Sequence, residues 1–271
     1  MGLGLEVITG FTTAAGATTT ALTMAAGNSP TIRNTRLDAK VLLLNIWSDF
    51  QAAGFFQARS PRLHDNVRGI RLAAAISEVK PTIPYRFRQP LVPQDTLILE
   101  QQGSAVAGDI ETTALLVWYE DITGIDAHLV TYQEVLERMV SLVTVESSMT
   151  AGAGGGYTGE RAINSQSDLL VANTEYALVG YLVDVETAVV RWRGADTGNL
   201  GLGGPGDDTG RDYTRSWFLD LARNFDAPMV PVFNSANRAG ILQDLAQDEN
   251  AAAVKITSIL AQLAAGPVRP R

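Results

Sequence analysis

PQDTLILEQQGSAVAGDIETTALLVWYED, residues 93–121, decides how the rest of the chain is read. Over residues 96–100, Leu97 and Leu99 recur at the two-residue period of a strand between polar Thr96 and Glu100, and Gly103 and Ser104 then break the run. The return segment ends in an unbroken apolar run, residues 114–119, too hydrophobic on both faces for a strand with one side in water. The spacing predicts a β-hairpin whose second strand is covered on both sides. Trp118 and Tyr119 are assigned to intramolecular core, with a subunit contact as the other use of such a surface.

The chain has 271 residues, 46% of them hydrophobic, enough to bury one large core or two modest ones. Its 29 acidic and 21 basic side chains leave a net charge of -8, which disfavours binding to nucleic-acid phosphates, and no Lys/Arg cluster interleaved with aromatics offsets it. No sequence-specific nucleic-acid partner is expected. Without cysteine there is no disulfide, thiolate nucleophile or cysteine zinc site, and only His64 and His128 remain for histidine acid–base work. Residues 1–16 lack the basic region and apolar core of a signal peptide, and every apolar run is shorter than the roughly 18 residues that cross a bilayer. The expectation is a soluble protein, or one held by other proteins, that meets a membrane only through partners.

Working outward, residues 10–30 are rich in Thr, Ala and Gly and read as an extended arm or edge strand. Residues 40–50 and 54–59 have strand length and composition, 69–75 and 84–88 are shorter strand candidates, and prolines at 81, 84, 90 and 93 exclude a helix there. From residue 131 to 142 the period changes to helical, with Thr131 and Glu134 as a capping box. A strand over 143–149 and a Gly-rich stretch, 150–159, follow; the latter is a candidate linker. Residues 169–172, 176–184 and 188–193 read as strands, 194–210 as a turn-dense loop, and 213–225 as a helix with Trp217, Leu221 and Phe225 on one face. The last strands fall at 230–233, 241–245 and 254–263.

The two halves share an order of features. Asp49 precedes Arg59 by ten residues and Asp184 precedes Arg193 by nine, each Arg ending an aromatic-containing strand, FFQAR or VVRWR. At an offset of 144, ETTALLVWYE (111–120) falls on KITSILAQLA (255–264). Two halves of short strands with frequent turn signals predict an all-β chain with a few short helices in loops, folded as two tandem jelly-roll β-sandwiches. The expected division is 1–146, an N-terminal arm and first sandwich with a connecting helix, and 147–271, the second sandwich with a loop helix near 213–225. That helix is expected on the sandwich and outside its core.

In this arrangement of halves, linker, late helix and arm, and in stretches such as SPRLHDNVRGIRL, PQDTLILEQQGS and GADTGNLGLGG, the chain resembles the double jelly-roll major capsid proteins of tailless, often membrane-containing, double-stranded DNA viruses. The resemblance implies homotrimers whose six jelly rolls make pseudo-hexagonal capsomers of an icosahedral shell. It further implies contacts with neighbouring capsomers, with a penton or minor capsid protein, and with an internal membrane through such partners. The location it implies is the virion, with assembly in the host cytoplasm. It carries over no catalytic residue, cofactor or metal, and the chain is expected not to be an enzyme.

Other constellations weigh less. Gly201, Gly203 and Gly206 match G-x-G-x-x-G, but Pro205 interrupts it and no βαβ unit surrounds it, so it reads as a turn. Asp196, Asp207 and Asp208 offer carboxylates to a calcium ion, against the simpler account of a solvated acidic loop. His64 beside Asp65 lacks a nucleophile in a recognisable elbow, and His128 lacks a partner at metal-ligand spacing. Arg59 and Arg193 read as structural, closing strand ends against Asp49 and Asp184. Two rival functions are a carbohydrate- or receptor-binding spike or tail β-sandwich, which predicts an exposed aromatic cluster, and a cupin-like enzyme, which needs a histidine-rich metal set.

Overall fold

Antiparallel strands make up most of the molecule. The structure, a computed structural model, describes residues 2–12, 20–24, 32, 39–50, 53–63, 69–74, 79–83, 87–102, 110–150, 156–163, 170–209, 211–247 and 253–265. The first half holds β1 (Leu3–Thr12), β2 (Thr20–Ala21), β3 (Thr23–Met24), β4 (Lys40–Asp49), β5 (Gly54–Arg59), β6 (Ile70–Ala74), β7 (Gln89–Leu91), β8 (Ile98–Gln102) and β9 (Glu111–Glu120). The second holds β10 (Leu129–Val130), α1 (Tyr132–Arg138), β11 (Met139–Thr150), β12 (Gly156–Tyr157), β13 (Arg161–Ala162), β14 (Glu175–Val183), β15 (Thr187–Arg193) and β16 (Leu202–Gly206). It continues with α2 (Arg211–Thr214), α3 (Trp217–Phe225), β17 (Val230–Asn234), β18 (Leu242–Gln247) and β19 (Ala253–Leu263).

Each half is a two-sheet sandwich with the same connectivity. In the first, one sheet runs β1-β9-β4-β7 and the other β2-β8-β5-β6; in the second, they run β11-β19-β14-β17 and β12-β18-β15-β16. Setting aside the added strands β3, β10 and β13, both halves number their strands 1-8-3-6 in one sheet and 2-7-4-5 in the other, the order of a jelly roll. The sequence echo follows this order. Residues 111–120 and 255–264 lie in or beside β9 and β19, the last strand of each roll, while Arg59 and Arg193 end the fourth strands, β5 and β15.

The predicted hairpin does not form. β8 and β9 lie in opposite sheets, and so do β18 and β19. β9 is apolar on both faces and pairs along its length with two other long buried strands, β1 and β4, whereas β8 alternates buried and half-buried positions. A Gly–Ser break in a sequence fits a crossing between sheets as well as a tight turn, so the local signal does not distinguish them; residues 103–109 themselves lie outside the described residues.

Other expectations fare differently. The helix predicted over 131–142 stops at Arg138: Thr131 Oγ1 accepts from the Glu134 N–H at 3.1 Å, but from Met139 the chain is extended, because β11 pairs with β19 from Met139 to Thr150. A boundary at 146 therefore falls inside β11, and sheet membership changes between β9 and β10. Residues 10–30, expected as an extended arm or edge strand, do supply the two-residue edge strands β2 and β3 together with the end of the interior strand β1; the rest of them, apart from Leu22, lie outside the described residues. The supposed turn around Gly203 is strand β16, buried throughout. Its glycines allow close approach: a Cβ on Gly203 would stand 2.3 Å from the Val190 carbonyl oxygen, and one on Gly204 would stand 2.3 Å from the Tyr181 hydroxyl.

Candidate functional site: the seam between the two sandwiches

The 1-8-3-6 sheet of the first roll is buried on both faces. Ile8, Leu43, Leu115, Val117 and Tyr119 pack with Phe56 and Leu99 inside their own sandwich. Leu5, Val7, Leu42, Leu44, Leu116 and Trp118 point the other way, into a cluster that continues through Val189 and Leu202 into the second roll. This is what covers the apolar run 114–119. Each large side chain buried there contributes on the order of 2–3 kcal/mol.

Hydrogen bonds fix the two rolls in register. The Val7 N–H donates to the Gly201 carbonyl at 2.9 Å, and Trp47 Nε1 donates to the Ala188 carbonyl at 2.7 Å. Trp47 meets Trp217 edge-on, with ring centres 6.2 Å apart. Trp217 also donates from Nε1 to the Gly203 carbonyl, and Phe218 packs against Tyr181 and Trp192. The α3 helix is thus a wedge in the seam, with Trp217, Phe218, Leu221, Ala222 and Phe225 buried, and not a surface decoration. Its amphipathic spacing was readable, but the helix breaks after α2, where the Thr214–Arg215 backbone lies over Gly180.

A buried ion pair sits at the same seam. Arg191 of β15 donates to Asp244 of β18 through Nε and a terminal nitrogen, both at 2.7 Å, with the two residues each 3% exposed. The guanidinium lies 3.4 Å from the centre of the Tyr157 ring, and the Tyr157 hydroxyl is 2.5 Å from Thr9 Oγ1 of the first roll. Glu6, also buried, accepts from the Tyr119 hydroxyl at 3.0 Å. Burial works to lower the Arg191 pKa, but the hydrogen bond it donates to Asp244 and the charges of Tyr157, Asp244 and Glu6 leave it raised. The arrangement holds a bidentate ion pair in fixed orientation and reaches the first roll through Tyr157 and Thr9.

The arginines that the sequence marks as closing strand ends against Asp49 and Asp184 are Arg59 and Arg193. Arg193 pairs with Glu160, and Arg59 pairs with Glu100 through Nε at 2.8 Å and a second nitrogen at 3.0 Å, so the carboxylates shown against them are not Asp49 and Asp184. Asp184 accepts from the Lys255 N–H. The signal for Arg191 was a charge set among Val, Val and Trp in a strand otherwise fit for burial, which demands a buried partner. Asp244 could not be named as that partner without the β15–β18 register, which sets Arg191 opposite it.

The Arg59–Glu100 pair sits on the corresponding strands of the first roll. The Arg59 hydrogen bond holds the Glu100 carboxyl below its ordinary value of 4.5, outweighing burial. A carboxyl lowered by folding adds stability that is present above its unfolded pKa and lost as pH falls through the folded one. Stability is therefore expected to decline on acidification below about pH 4.5, and Glu100→Gln should flatten that decline in urea denaturation. An unchanged slope would show that other groups govern it.

Of the acidic residues in the Gly-rich region, Asp207 and Asp208 gather with Glu186, their carboxylate oxygens within 4.8 Å of one another. Asp196 is not in the group; its carboxylate lies 3.4 Å from the Asn237 amide nitrogen. Asp207 Oδ1 accepts from the Thr209 N–H and lies 2.7 Å from its hydroxyl. His128 is exposed, and His64 and Asp65 lie outside the described residues.

No family model and no curated protein matches the chain. Among solved structures, the PBSX exported protein XepA is 8% identical, with a TM-score of 0.28 over 94% of this chain and 86% of that one. The major capsid protein P2 from bacteriophage PM2 is 8% identical, with a TM-score of 0.22 over 97% of this chain and 98% of that one. These are distant likenesses, and at such TM-scores they carry no argument about function.

Proposed function

We propose that the chain is a structural virion protein, a major capsid subunit that assembles as trimeric, pseudo-hexagonal capsomers into an icosahedral shell. The observation that carries this reading is the repeated jelly-roll order, 1-8-3-6 over 2-7-4-5, twice in one chain. Two similar sandwiches per subunit turn a three-fold assembly into a six-lobed one, which tiles a surface with hexagonal neighbours. The shared seam makes the subunit a rigid tile, as a shell requires, and its partners would be itself, neighbouring capsomers and a penton or minor capsid protein. A spike or sugar-binding module would instead present a cluster of exposed aromatics; among the described residues Phe87 is the large aromatic that stands exposed.

Light scattering on the purified chain tests the reading. The expected species has about three times the 29.0 kDa subunit mass, or is a larger shell built from it. A protein that stays at the subunit mass at every concentration would overturn the proposal.

A further inference from the structure

The outer edge of β11 is unpaired among the described strands. β11 ends its sheet, with β19 on one side and no described strand on the other. Four of the large hydrophobics found exposed, Leu136 at the end of α1 and Met139, Val140 and Leu142 at the start of β11, fall within seven consecutive residues. The stretch MVSLVTV, 139–145, is β-branched, uncharged and free of proline, without the lysines or prolines that usually blunt an edge. Farther along, the edge is covered: Arg161 donates to the Ser148 carbonyl. The open part is therefore bounded, from Met139 to about Ser147.

We propose that this edge pairs antiparallel with the same edge of a second copy, about a two-fold axis at Leu142. Residues 139–145 of one copy would face 145–139 of the other, Val140 opposite Thr144 and Leu142 opposite Leu142. A row of main-chain donors and acceptors is matched by an identical strand run in reverse, so one surface serves both partners. Charge placement selects this occupant and this register. The chain as a whole is acidic and its copies repel, yet the paired segment carries no charge. The nearest charge on the strand, Glu146, lies four residues from the axis and so ~27 Å from its mate, and it is already paired with Lys255 at 3.5 Å. The inference does not rest on the shell reading: it would hold for a two-fold contact between subunits of any assembly.

The cysteine-free sequence makes the test clean. Full-length Leu142→Cys is expected to form a covalent dimer under mild oxidation, while Glu146→Cys, equally on the exposed face, is not. Val140→Cys and Thr144→Cys proteins should cross-link when mixed and not when kept apart. Leu142→Lys, an exposed substitution expected to leave the circular dichroism melt unchanged, should weaken self-association by about tenfold or more in sedimentation equilibrium. Absence of cross-linking at Leu142→Cys, equal cross-linking at Glu146→Cys, or unchanged association in a folded Leu142→Lys protein would overturn the pairing. Loss of a trimer without loss of this cross-link would count against the shell reading alone.

Discussion

Asp244→Ala is expected to lower stability by about 3–5 kcal/mol, because it leaves the Arg191 guanidinium buried without its carboxylate. For a chain of this size that is a fall in melting temperature on the order of 10 °C. The loss comes mainly from stranding a charge, since the ion pair itself offsets its own desolvation. Two controls separate these effects. Replacing both partners with apolar residues of similar volume, Arg191→Met with Asp244→Leu, should recover most of the loss. Lys40→Ala, which removes an exposed partner of Glu120, should cost no more than about 1 kcal/mol. If Asp244→Ala melts within a degree or two of the parent, the pair is not buried as described.

Trp47→Ala should be comparably damaging, about 3–5 kcal/mol, and different in kind. Trp47 is fully buried and belongs to the first roll, but its indole nitrogen bonds to Ala188 and its ring meets Trp217, both in the second. Removing it opens a cavity in the seam and leaves a buried carbonyl unpaired. Calorimetry should then show the rolls melting in two resolved steps instead of one. Trp47→Phe, which keeps a six-membered ring but loses the hydrogen bond and part of the ring volume, should retain a single transition at a lower temperature. A single, unshifted transition in Trp47→Ala would mean that the two rolls do not stabilise each other through this contact.

Much of the fold could be read from residues 93–121 and their echo. The doubly apolar run at 114–119 required a strand covered on both faces, and that is β9, with its own sandwich on one side and the second roll on the other. Sheet membership could not be read, because β8 and β9 look like a hairpin locally and only long-range pairing with β1 and β4 separates them. The glycines of β16 read as a turn for a similar reason: glycine marks a turn and a close strand crossing alike, and what crosses here, Val190 and Tyr181, is distant in space until the fold forms. Glu186 joins Asp207 through the same register, Thr187 opposite Gly206, which no spacing along the chain announces. The amphipathic face of α3 was legible; that it faces a second sandwich was not, since an apolar stripe does not name its partner.

Electron-microscope imaging of the purified assembly tests the central claim most directly. The account predicts trimeric particles with a pseudo-hexagonal outline and six sandwich-sized lobes, two from each chain. Particles of a single two-lobed subunit, or an assembly without three-fold symmetry, would contradict it.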